Sequence, residues 1–72
     1  MRNKILNPIE FAKIQRAIYK YARARKEDSK KKAKENLFKI AKKILQISYD
    51  IEEVCLTTSL EDGKYIQSLH IK

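Results

Sequence analysis

Residues 54–71 read VCLTTSLEDGKYIQSLHI, and the Asp62-Gly63 step at their centre decides the fold. An Asp-Gly pair between two runs of β-branched and aromatic residues marks a two-residue type I′ turn, because both central residues must take positive φ. Folding about that step sets Glu61 opposite Lys64, Leu60 opposite Tyr65, Leu56 opposite Leu69 and Val54 opposite Ile71. One face then carries Val54, Leu56, Leu60, Tyr65, Leu69 and Ile71. The other carries Cys55, Thr57, Ser59, Ile66, Ser68 and His70. A slip of one residue would exchange the two faces, so this sorting supports the register. The sequence therefore predicts a β-hairpin over 55–71. A lone hairpin is only marginally stable, so it must pack on something else, and its edges stay open to pairing.

The residues before the hairpin read as helix. Ala33, Leu37, Ile40, Ile44, Ile47, Ile51 and Val54 step by alternating fours and threes. That is a heptad pattern, widened by Phe38, Ala41 and Leu45 into a broad apolar stripe. Lys32, Lys39, Lys42 and Lys43 fall on the far face. A helix over 29–53 is expected, capped by Asp28 or Ser29, with Val54 shared between its end and the first strand.

Further back, Asn7 is a good N-cap, Pro8 suits the first helical position and Glu10 completes a capping box. Leu6 and Phe11 stand where a hydrophobic staple would place them. Phe11, Ile14, Ile18 and Tyr21 form one apolar stripe, which predicts a helix over 8–25. Residues 26–30 contain no apolar side chain and neither Gly nor Pro. The two apolar stripes are nevertheless out of phase by a quarter to a third of a turn, so a break here lets both face one core. The expected fold is α+β, an antiparallel helical hairpin followed by a two-stranded β-hairpin (α-α-β-β), in one domain spanning 1–72.

Charge is unevenly spread along these elements. Residues 1–48 hold 15 Lys/Arg against 4 Asp/Glu, whereas residues 49–72 hold 2 Lys against 5 Asp/Glu. The net charge of +8 thus sits on the helices. Such asymmetry points to a polyanionic partner, nucleic acid or an acidic protein surface. Lys13, Arg16, Lys20 and Arg23 recur at helical spacing opposite the apolar stripe, with Tyr19 beside them. Four cations over about 15 Å match several phosphates of a nucleic-acid strand. Lys26, Lys30 and Lys31 extend the basic surface around the loop between the helices. Lys30, Lys31 and Lys32 fall in the first helical turn, where the helix dipole disfavours cations.

Enzymatic chemistry is not expected. Cys55 and His70 face each other across the hairpin, but no acid orients the histidine, and they read as two unrelated residues on an exposed strand. One cysteine and one histidine cannot complete a zinc site, and Asp50, Glu52 and Glu53 lack the spacing of a calcium loop. One glycine in the whole chain leaves no phosphate-cradling loop, and no cofactor is implied. No apolar window reaches the roughly 18 residues of a membrane span, and the start lacks a signal-like apolar stretch. A cytoplasmic protein is expected, in keeping with the single thiol.

Two functions fit this sequence. The first is a small basic protein that binds nucleic acid through phosphates, with little sequence discrimination. The second is a protein-interaction module, a small regulator or inhibitor that in its simplest form is a homodimer, whose lysine-rich face is only a solvated surface.

Overall fold

The computed structural model describes residues 2–72 and, of Arg2, the backbone. Its elements are β1 (Arg2–Ile5), α1 (Pro8–Arg23), α2 (Glu27–Leu45), β2 (Val54–Glu61) and β3 (Lys64–Ile71). The class is α+β, as the sequence predicts, with two helices and an antiparallel sheet.

The hairpin takes the expected register along its whole length, from Val54 opposite Ile71 to Glu61 opposite Lys64. Asp62 and Gly63 both have positive φ, 49° and 74°, as a type I′ turn requires. The sheet is wider than expected. β1 pairs antiparallel with the other edge of β3, setting Asn3 opposite His70 and Ile5 opposite Ser68. The strand order is β1-β3-β2, so the element order is β-α-α-β-β in place of α-α-β-β. The third strand answers the marginal stability of a lone hairpin.

α1 starts as its capping box dictates. The Asn7 side chain accepts from the Glu10 backbone N–H at 2.8 Å, and the Glu10 carboxylate accepts from the Asn7 N–H at 3.2 Å. The helix ends at Arg23, two residues before the expected Arg25, because Ala24 turns to extended backbone.

α2 departs further from expectation. It starts at Glu27, with Lys26 at the N-cap making no side-chain cap bond, so Asp28 and Ser29 lie inside the first turn. It stops at Leu45 and not at Glu53. Gln46 adopts the left-handed conformation (φ 56°) and donates to the Lys43 carbonyl, while the Ile47 N–H returns to the Lys42 carbonyl at 3.0 Å. This is a Schellman closure built without glycine. Ile47 and Ile51, which extend the heptad on paper, pack on the core from the connecting segment. That segment is tied to the end of the sheet, where Glu52 N–H donates to the Lys72 carbonyl at 2.6 Å.

The helices cover one face of the sheet. Ile14, Ala17, Leu37, Ala41 and Leu45 meet Leu69 and Ile71 of the central strand, with Leu6 and Ile51 closing the ends. Ile14, Ala41 and Leu69 are fully buried. The helix layer does not reach the turn end of the hairpin, so Leu60 and Tyr65 stay 62% and 74% exposed on what is otherwise the core-facing side. No helix among the described residues is long and apolar enough to cross a membrane.

Candidate nucleic-acid interface

The apolar stripe of α1 turns Ile14 and Ala17 inward, and this fixes where its cations go. Lys13, Arg16, Lys20 and Arg23 are all exposed and lie along the flank of α1 that borders α2. Two grooves run between the helices there. The first, of about 540 Å³, is lined by Lys13, Arg16 and Lys20 together with Ile9, Ala12, Ala17 and Ile40. The second, of about 570 Å³, is lined by Lys20, Arg23 and Tyr19 from α1 and by Lys32 from α2. Lys20 and Asn36 border both grooves, and neither includes a residue of the sheet.

These four cations have no acidic partner. Among the described residues the ion pairs are Lys4–Glu10 at 2.6 Å and Lys42–Asp50 at 3.4 Å. Glu10 shares a recess with Lys13. Its pKa is lowered, first by the hydrogen bond from Lys4, then by the Asn7 N–H, with a smaller contribution from the Lys13 charge. The Glu10 charge is thus committed to Lys4 and to the helix cap. The groove keeps an excess of positive charge that attracts anions.

Of the residues expected at the interface, Lys13, Arg16, Tyr19, Lys20 and Arg23 come together along the grooves. Tyr19 does not stand free, because the Arg23 guanidinium lies 5.1 Å from its ring centroid. Lys26, Lys30 and Lys31 are exposed but line neither groove. Their positions follow from helix geometry, since Lys30 and Lys31 point away from the row formed by Lys32, Asn36 and Ile40. Lys32 and Lys43 are the cations that α2 contributes, Lys43 from a third recess that shares Lys13 and Ile40 with the first groove. Their row is visible in the sequence, but its place beside Lys13 and Lys20 follows only from the way the helices pack.

The pair of Cys55 and His70 does lie in direct cross-strand register. Yet the ring Nε2 of His70 is 2.8 Å from Thr57 Oγ1, and the Cys55 thiol leans on the Leu56 carbonyl at 3.9 Å. The histidine is engaged by a hydroxyl and not by the thiol. No three His, Cys, Asp or Glu side chains converge on a common point among the described residues. Asp50, Glu52 and Glu53 are all exposed, and Asp50 reaches only Lys42.

No protein-family model matches this chain, and neither does any curated protein or solved structure.

Proposed function

We propose that the helical hairpin binds nucleic acid through its phosphates, with little discrimination of sequence. One observation carries this reading: Lys13, Arg16, Lys20 and Arg23 line the inter-helix grooves, exposed and without a carboxylate partner. Like charges held this close repel, and nothing in the packing requires them there. Phosphates would relieve that repulsion and release their own counterions on binding. Contacts to the backbone fix the position of a nucleic acid without reading its bases, which suits an interface built of Lys and Arg. A cytoplasmic location, where nucleic acid is present and a single thiol stays reduced, accords with it. The reading asks for no catalytic step and no cofactor. Fluorescence anisotropy with a labelled oligonucleotide tests it: R16Q/K20Q should bind at least roughly tenfold more weakly, and unchanged affinity overturns the assignment of the face.

A second reading rests on a different part of the molecule. β2 is an edge strand, and residues 54–60 hold seven uncharged residues in a row with no proline. Edges that avoid pairing usually carry charge or proline, so this one is open to a second copy or to another protein. Light scattering on a concentrated solution tests the homodimer, and a mass of 8.5 kDa at all concentrations removes it.

A further inference from the structure

We infer that β2 pairs with β2 of a second copy of this chain, antiparallel, about a two-fold axis at Thr57; this rests on the open-edge reading of β2 above. The first observation is the contrast between the two edges of the sheet. β1 has four residues, Arg2–Ile5, two of them cations, and both shortness and charge discourage pairing. β2 has eight residues and carries no charge before Glu61. Pairing through β2 closes at two copies, because the edges left outside are then both β1.

The second observation is where the free backbone groups of β2 point. The Gln67 carbonyl accepts from the Leu6 N–H at 2.8 Å, so the odd-numbered residues of β3 turn their backbone groups to the β1 side. The Lys72 N–H donates to the Glu53 carbonyl at 3.0 Å, so even-numbered positions of β3 bond to odd-numbered positions of β2. The alternation of an antiparallel ladder leaves the N–H and C=O of Val54, Leu56, Thr58 and Leu60 aimed at the open edge. An axis at Thr57 sets Val54 opposite Leu60, and Leu56 opposite Thr58, of the second copy. Every one of these groups is then paired. An axis at Thr58 would set Val54 opposite Asp62, which belongs to the turn. An axis at Leu56 would set Leu60 opposite Glu52, whose N–H is already given to Lys72.

The side chains match in the same register. Leu60 is 62% exposed on the core-facing side, and Val54, which packs against the core, comes to lie directly across from it. On the outer face Cys55 meets Ser59 and Thr57 meets itself, all of them small. Glu53 falls opposite Glu61, but Glu61 also has Lys64 across from it on β3, so that end carries both signs. The run 54–60 is thus complementary to itself, as a two-fold contact requires.

Sedimentation equilibrium of wild type over a concentration series should show the mass rise from 8.5 kDa toward twice that value. T58P removes an N–H that points to the open edge and no ladder bond to β3, so it should abolish the dimer and keep the circular dichroism of wild type. Cross-linking reads the register whether or not T58P folds. C55S/T57C and C55S/T58C each leave a single thiol. Residues at a non-hydrogen-bonded pair have Cα atoms about 4.5 Å apart, within disulfide range. With oxidised glutathione, C55S/T57C should therefore form a covalent dimer at least roughly tenfold faster than C55S/T58C. Equal cross-linking rates, or a dimer that a folded T58P retains, overturn the inference and leave a homodimer joined in another way. A mass of 8.5 kDa at every concentration overturns the inference and the homodimer together, and leaves a different protein as the partner of the edge.

Discussion

The groove side of the helical hairpin presents Lys13, Arg16, Lys20, Arg23 and Lys32 with no carboxylate in contact. The outer face of the sheet presents Asn3, Ile5, Cys55, Thr57, Ser59, Ile66, Ser68 and His70, and its charges are confined to the Glu61–Lys64 pair at the turn. Both surfaces are solvent-facing backs of one shared core. The sheet shows a surface of this chain without a charge excess: hydroxyls, one amide, the isoleucines Ile5 and Ile66 and one opposed pair of charges. The helices show an excess of one sign that folding does not ask for. Burial of Ile14, Ala17, Leu37, Ala41, Leu69 and Ile71 holds the two layers together, and none of the stripe cations takes part in it. Stability and charge are therefore carried by different residues, and substitutions should separate them.

The largest effect should come from the shared core. Leu69 is fully buried on the central strand, so L69A should cost about 2–5 kcal/mol, read by urea denaturation. For a domain this small that loss removes folding and binding together. R16Q/K20Q should do the opposite, losing affinity while the denaturation midpoint holds or rises as like-charge repulsion is relieved. A clear fall in stability would mean that the stripe serves the fold after all. G63A should cost about 1–2 kcal/mol, because φ at Gly63 is 74°. A Cβ there would meet no neighbour within 4 Å, so this cost is purely conformational, and nucleic-acid binding should be untouched.

The smallest effect concerns Glu10, which shares a recess with Lys13. The lowered pKa of Glu10 means that its contribution to stability is fully present above the ordinary carboxylate pKa. It is lost as pH falls through the lower, folded-state value. The thermal midpoint of wild type should therefore exceed that of E10Q near about pH 6, and the gap should close as pH falls through the lowered value. A constant gap across that range would show that Lys4 and the helix cap do not hold the Glu10 charge.

Much of this fold is legible in the sequence wherever a local chemical device fixes the backbone. Asn7, Pro8 and Glu10 give the start of α1, and Asp62-Gly63 gives the turn and with it every pairing from Val54 to Ile71. β1 is not legible, since Arg2–Ile5 has four residues, two of them cations, and gains its structure from the edge of β3. The end of α2 is hidden for a different reason. Gln46 closes the helix in a conformation that glycine usually signals, and the apolar residues beyond it keep helical spacing while packing from a loop. Of the candidate site, the row Lys13, Arg16, Lys20 and Arg23 can be read from spacing alone. The grooves cannot, because Lys32, Asn36, Ile40 and Lys43 meet that row only through the packing of α2 on α1.

The slope of log affinity against log salt tests the central claim most directly, measured by anisotropy with one oligonucleotide for wild type and R16Q/K20Q. Four phosphate contacts predict a wild-type slope of about −3 to −4, and loss of two contacts should bring the variant to about half of that. Equal slopes for the two proteins, or a wild-type slope near zero, would contradict it and return the cationic groove to the status of a solvated surface.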